Sequence, residues 1–268
     1  MSSTQAETQT AQLDAVLNQN PWMAHAMGRE AAPPIPRLTP AQEIAALARV
    51  LFSNGYDDML AGHISYKQPD GTYLVTPYAL AWDEVKASDI MHIDLASEKV
   101  LGGKWTVTPA IELHKAAHAA REDIIWAVHN HPRWATVWAA LHRLPGTYEQ
   151  TAALMGPDVV LYDEYQGGAA TQLDSQAAVA ALGGSAAAIL ANHGVFVVAK
   201  GVHQAYLRCQ SLETRARLAW HISAIGEGVP MQDAIVSMAG VMMDRAGWPG
   251  AWEAMVRREM RRDPSFLD

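Results

Sequence analysis

The sequence predicts an α/β fold in a single domain, and three observations carry that expectation. Short apolar runs of strand length recur along the chain, and segments with helical spacing separate them. No internal repeat or shift of composition divides residues 39–268. Half of the 268 residues are hydrophobic and 18% are charged, a globular composition with ample material for a core.

Taken in order, residues 1–38 read as an N-terminal arm and proline-rich linker. The start is polar, Trp22 and Met23 could pack the arm onto the body or onto a neighbouring subunit, and Pro33-Pro34-Ile35-Pro36 is too stiff for a helix. Thr39 then caps a helix with Pro40 at its first position and an acidic Glu43 in its first turn. Ile44, Leu47, Leu51 and Phe52 keep its apolar spacing, and Asn54-Gly55 ends it. A strand starts at Gly62-His63-Ile64-Ser65-Tyr66, turns at Asp70-Gly71 and returns antiparallel over 72–76. Residues 91–95 form another strand, and 109–121 a helix. The apolar run Ile124-Ile125-Trp126-Ala127-Val128 is a buried strand that ends at His129-Asn130-His131. Residues 133–142 are helical and 159–162 a strand, followed by a loop over 163–168. Asp174 caps a short helix through Leu182, stopped by Gly183-Gly184. The strand 187–191 ends at Asn192-His193-Gly194, and 195–199 is expected to continue beyond Gly194 as a strand. The longest helix runs from about His203 to Ile225, and a terminal helical segment carries Trp248, Trp252 and Met255.

Charge and cysteine usage exclude several classes of function. The formal charge of −8 and the lack of any basic run argue against a nucleic-acid partner. No apolar run reaches the roughly 18 residues of a membrane span, so no membrane partner is expected. The single cysteine, Cys209, cannot form an internal disulfide, and the polar N-terminus lacks the pattern of a signal peptide. A cytoplasmic protein acting on a small-molecule substrate is the expectation.

The chemistry-bearing residues are histidines. His129 and His131 stand at i and i+2, so on a strand both imidazoles point to one face and can reach one point. His193 repeats the setting: an apolar strand, then a histidine, then a glycine. Three histidines at strand ends suit a catalytic divalent metal, whereas a structural zinc site would want four ligands and usually cysteines. The alternative is three unrelated polar histidines at the ends of buried strands. The helix before the pair adds Glu112 and His114 as candidate proton-transfer groups, against a solvated helix face and a packed, hydrogen-bonded histidine. None of the other histidines has a comparable setting, and only His63, which follows Gly62 at a strand start, stays in view.

Three stretches together resemble the class II aldolase/adducin superfamily: Leu113-His114 with Ala119-Ala120-Arg121-Glu122-Asp123, then Ala127-Val128-His129-Asn130-His131, then Ala191-Asn192-His193-Gly194. The resemblance spans about residues 45–222. It implies a three-layer αβα sandwich with a mixed, mostly antiparallel central sheet. It also implies a divalent metal held by His129, His131 and His193, and usually a homotetramer. Zinc is the first candidate for that metal, with iron, manganese and magnesium behind it.

The departures from the family pattern narrow the expectation. Sugar-phosphate aldolases of the family cradle phosphate with Gly-Asn-x-Ser and Thr-Pro-Ser-Gly turns. Here these read Gly62-His63-Ile64-Ser65 and Thr76-Pro77-Tyr78-Ala79, which disfavours a phosphorylated substrate. Tyr78 and Trp82 are expected to close off that space. The family's catalytic glutamate position is Ala110 here, and Glu112, two residues on, is rotated by about 200° on a helix. Gly-His-x-Ser together with Leu161-Tyr162-Asp163-Glu164-Tyr165 looks more like the branch with dihydroxyphthalate-type decarboxylases and a non-haem iron oxygenase of a prenylated hydroxyphenylpyruvate. The resemblance therefore implies a metal-dependent carbon–carbon lyase, a decarboxylase ahead of an aldolase on a non-phosphorylated substrate. Glu112, His114 or Tyr162 would supply the proton. An Fe(II) oxygenase on the same three histidines and a non-catalytic, adducin-like module are the remaining readings.

Overall fold

The computed structural model describes residues 33–164 and 172–268, together with Ala15. Trp22 and Met23 of the arm and the loop Gln166-Gly167-Gly168 lie outside the described residues. Helix α1 (Pro40–Phe52) opens with the expected cap: Thr39 Oγ1 accepts from the Gln42 amide at 3.3 Å, and Gln42 Oε1 accepts from the Thr39 amide at 3.0 Å. Strand β1 (His63–Lys67) turns back into β2 (Tyr73–Val75) through Gly71 at φ +85°, with Asp70 accepting from the Thr72 amide at 2.9 Å. Strand β3 (Met91–Asp94) pairs with β4 (Lys99–Gly102), an element the sequence does not announce. Val100 and Leu101 are both exposed on this edge, so β4 carries no alternation of apolar and polar residues.

The remaining elements are α2 (Ile111–Ala120), β5 (Trp126–Asn130), α3 (Ala135–Ala140), α4 (Gln150–Ala153), β6 (Val159–Tyr162), α5 (Gln172–Leu182), β7 (Ala187–Leu190), β8 (Gly194–Ala199), α6 (Val202–Ile225), α7 (Asp233–Ala246) and α8 (Ala251–Arg262). Three of them correct the reading from sequence. Asp174 sits inside the first turn of α5, which begins at Gln172, and so is not its cap. Strand β8 does not continue from β7 but folds back antiparallel on it, Leu190 facing Gly194, with Asn192 at φ 52° in the reversal. The terminal region holds two helices rather than one, and Trp248 lies in the connection between them.

Among the described residues the strands form one sheet of order β4-β3-β2-β1-β5-β8-β7-β6. Every neighbouring pair is antiparallel except β6 and β7, which is the mixed, mostly antiparallel sheet expected. Alternation along the central strands sends side chains to two cores. Ile64, Val128, Ile189, Val195 and Val197 pack with α1, α3, α6 and α8. Ala127, Ala188, Leu190, Phe196 and Val198 pack on the opposite face with Leu113 and Ala117 of α2 and Val179 and Leu182 of α5. Helices thus cover both faces, giving the three-layer αβα sandwich. His63 and Ser65 flank Ile64 along β1 and His129 follows Val128 along β5, so all three point to the opposite, α2 side of the sheet.

The C-terminus is tied back to α1 by Arg49, which is 1% exposed. Its guanidinium donates to Asp263 at 2.7 Å, to the Val85 carbonyl at 2.8 Å and to Ser265 at 3.2 Å. Among the described residues no helix is long and apolar enough to cross a membrane.

Candidate metal centre

Sheet register brings the two histidine motifs together. On β5, His129 faces His63 of β1 and Phe196 of β8, while His131 lies one residue past the strand end. His193 occupies the tight β7–β8 reversal, one strand beyond β8 from the pair. One nitrogen from each of His129, His131 and His193 lies within 4.8 Å of the others. Their ring centroids are 4.7 to 5.1 Å apart.

Hydrogen bonds behind the rings fix which nitrogen faces inward. His129 Nδ1 is 2.9 Å from the Val195 carbonyl oxygen, which can only accept, so Nδ1 carries the proton and Nε2 the lone pair. His131 Nδ1 donates to the Asp58 carboxylate at 2.6 Å, and its Nε2 is buried without a hydrogen-bond partner. A buried, unpartnered imidazole nitrogen whose other nitrogen donates to a carboxylate is the arrangement that metal-binding histidines adopt. Burial holds His129 well below the usual histidine range, helped by the neighbouring His63, His193 and His131. Burial, and then His131, lowers His193 to about 4. Both are therefore neutral near pH 7, as ligands must be, and the residues present fit a divalent ion.

A second line of polar groups runs behind His129 under α2. His63 stacks on His129 at 4.7 Å, and its Nδ1 is 2.7 Å from His114 Nε2. His114 Nδ1 is 2.6 Å from Ser65 Oγ, which is 2.8 Å from His118 Nε2. His118 Nδ1 meets the Ile124 carbonyl at 3.0 Å. All four side chains are buried. Sequence reasoning kept His63 and His114 in view and missed Ser65, His118 and Asp58. A His-x-x-x-His spacing on one helix, and a serine two residues after His63 on one strand, are the local signals that could have found the first two.

The candidate proton-transfer residues have different fates. Glu112 does not join the histidines: it lines a cavity of about 270 Å³ with Ile93, Leu95, Val107 and Ile111, and its carboxylate lies 3.7 Å from Lys115. The physical reason is the one anticipated from helix geometry, since His114 and His118 occupy the inward face of α2. His114 is brought in, but as a partner of His63. Tyr162 ends β6 beside β7, its carbonyl accepting from the Ala191 amide at 2.9 Å, two residues before His193. Its hydroxyl is buried without a hydrogen-bond partner, and burial raises its pKa, with Glu164 and Asp174 adding to the rise.

Trp82 fills the space beside Gly62: a β-carbon there would lie 2.6 Å from its indole ring, and Trp82 Nε1 donates to the Gly62 carbonyl at 3.1 Å. Tyr78 is 45% exposed and so does not share that packing. On the other side of His193, Asn192 donates to His142 Nε2 at 2.8 Å, and His142 Nδ1 donates to Asp163.

Comparison with known proteins places this geometry in context. The family described as "Class II Aldolase and Adducin N-terminal domain" matches residues 42–220, well over half of the chain. The 5-deoxy-D-ribulose 1-phosphate aldolase of Bacillus thuringiensis serovar kurstaki is 27% identical over 189 residues, covering 69% of this chain and 86% of that protein. Decarboxylase NovR of Streptomyces niveus is 25% identical over 218 residues, covering 79% and 80%. Among solved structures, L-fuculose 1-phosphate aldolase from Glaciozyma antarctica PI12 has the same fold, with a TM-score of 0.77 at 19% identity over 90% of this chain and 99% of that one.

Proposed function

The chain belongs to the class II aldolase and adducin family, and from that membership we propose that it is a metal-dependent carbon–carbon lyase, a decarboxylase of an aromatic or other non-phosphorylated carboxylate. The observation that carries this reading is the convergence of three imidazole donors within 4.8 Å. His129, His131 and His193 would hold the ion, zinc first among the candidates. When bound, a divalent ion there supplies positive charge to an enolate- or phenolate-like oxygen while the carbon–carbon bond breaks.

The chain's own groups supply the rest. Asp58 and the Val195 carbonyl hold two of the rings in the tautomer that leaves Nε2 bare. Carbon dioxide leaves without the bonding electron pair, and the carbon that keeps it needs a proton. Tyr162 is the group we assign to deliver that proton, because its hydroxyl is buried and unpartnered at the end of β6. Trp82, packed against Gly62, supports an unphosphorylated substrate by filling space that a phosphate-cradling turn would leave open. A relative named as a decarboxylase supports the same assignment. Aldol cleavage of a non-phosphorylated substrate is the second reading, favoured by the aldolase-named relative and using the same ion and proton donor. A homotetramer and a cytoplasmic location belong to the same proposal.

The test is an anaerobic incubation of metal-loaded protein with hydroxylated aromatic carboxylates labelled with ¹³C in the carboxyl group. Labelled carbon dioxide should appear, vanish in His129→Ala, and fall by about 10²- to 10⁴-fold in Tyr162→Phe with metal content unchanged. Release of an aldehyde instead would favour aldol cleavage. A strict need for oxygen, with its uptake by iron-loaded protein, would replace the lyase with an oxygenase.

A further inference from the structure

The four buried groups behind His129 form a hydrogen-bond chain in which no proton has a choice of position. It begins at the Ile124 carbonyl, which can only accept, so the 3.0 Å contact makes His118 Nδ1 the donor. A neutral His118 then has a bare Nε2, and the 2.8 Å contact takes the Ser65 hydroxyl proton. Ser65 has one proton only. Its oxygen must therefore accept from His114 Nδ1 at 2.6 Å, which leaves His114 Nε2 bare. That nitrogen accepts from His63 Nδ1 at 2.7 Å, and the remaining nitrogen of His63 carries no proton. The surroundings keep the rings neutral. Tyr73 packs on His118 with ring centroids 4.9 Å apart, Phe196 meets the edge of His114 at 5.4 Å, and His129 covers His63.

From this chain we infer that His63 presents an unprotonated Nε2 beside His129, an acceptor that selects substrates bringing a hydroxyl to that point. The inference rests on the reading of His129, His131 and His193 as the reaction centre, and it adds the chemical class of the group bound next to it. A bare ring nitrogen cannot donate. A phosphate or carboxylate oxygen placed against it would set lone pair against lone pair, whereas an enol, phenol or alcohol O–H completes its hydrogen bonding. His63 is thus the substrate-contacting residue, and His114, Ser65 and His118 are positioning residues acting through it. The polarity originates at a main-chain carbonyl, so it is built into the α2–β5 connection and is independent of any bound ion.

Imidazole ¹⁵N NMR of metal-free, histidine-labelled protein at pH 7.5 reads the tautomers with no substrate present. His63, His114 and His118 should each show a pyrrole-type Nδ1 and a pyridine-type Nε2. Assignment comes from His63→Gln or, if that variant does not fold, from nuclear Overhauser contacts of the His63 ring with His114 and His129. A pyrrole-type Nε2 on His63 would overturn the inference. The second arm measures binding of 2-hydroxybenzoate and benzoate to metal-loaded protein, wild type and Ser65→Ala. The hydroxyl should improve binding at least tenfold in the wild type. Ser65→Ala should erase most of that preference, because it frees the His114 and His63 tautomers, while any advantage from the ion itself persists. An equal preference in both proteins would overturn the selection of hydroxyl substrates. Neither arm uses turnover, so a failure of the lyase assignment would show separately in the carbon dioxide assay.

Discussion

Asp58 is the residue on which the orientation of His131 depends. Its carboxylate accepts a hydrogen bond from His131 Nδ1 at 2.6 Å, which both fixes the ring and turns Nε2 inward. Asp58→Asn keeps the shape but removes the charge, and its amide can offer a donor where an acceptor is needed. Metal affinity should fall by about 10- to 100-fold, measured by competition with a chromophoric chelator, while the fold is retained. An affinity within twofold of wild type would remove Asp58 from the account. At this scale the sequence was partly legible. His129, His131 and His193 announce themselves because each follows an apolar strand. Asp58 does not, since it sits in a loop 73 residues from its partner and only tertiary folding brings them together.

At the scale of elements, the site depends on how closely β8 approaches the end of β5. Gly194 lies where a β-carbon would meet the Asn130 carbonyl and the His131 ring, both at 2.5 Å. Gly194→Ala must therefore push β8 from β5 or displace His131. The expected result is a destabilisation of about 1–3 kcal/mol in urea and a metal affinity at least tenfold weaker. Wild-type affinity and stability would show that the hairpin adjusts freely. The sequence placed a strand on each side of His193 but not the reversal between them, because the residues Asn192-His193-Gly194 fit a strand end as well as a tight turn. It also missed the Ser65–His114–His118 chain, whose partners lie 49 and 53 residues apart and meet only through the packing of α2 on β1. Strand β4 escaped for a different reason: its outward Val100 and Leu101 leave no alternating pattern to read.

For the whole molecule, burying so many imidazoles sets how stability responds to acid. His63, His114 and His129 are held well below the usual histidine range, and His118 and His193 are lowered to about 4, burial being the first cause in each. Groups whose folded pKa is depressed add stability above the unfolded value near 6.5 and lose it as pH falls toward the folded one. Each such histidine can cost up to about 1.4 kcal/mol per pH unit across that window. Glu43 and Glu213, raised to about 7 by burial, act oppositely: their contribution is present below about 4.5 and lost as pH rises through 7. Five histidines outweigh two glutamates on the acid side. The urea midpoint of metal-free protein should therefore drop steeply from pH 7 to pH 5, and a flat midpoint would mean that the imidazoles are not buried as described. The α/β class was legible because apolar runs of strand length alternate with helical spacing, whereas the layered, mostly antiparallel sheet followed only from the family resemblance. The central claim, that His129, His131 and His193 form one divalent-metal site, is tested most directly by counting ions. Metal-stripped protein titrated with zinc at pH 7.5, in the calorimeter and by elemental analysis after dialysis, should bind one ion per chain tightly. His131→Ala and His193→Ala, folded by circular dichroism, should each lose that binding by at least a hundredfold. Stoichiometric zinc retained by either variant with wild-type affinity, or none held by the wild type, would contradict it.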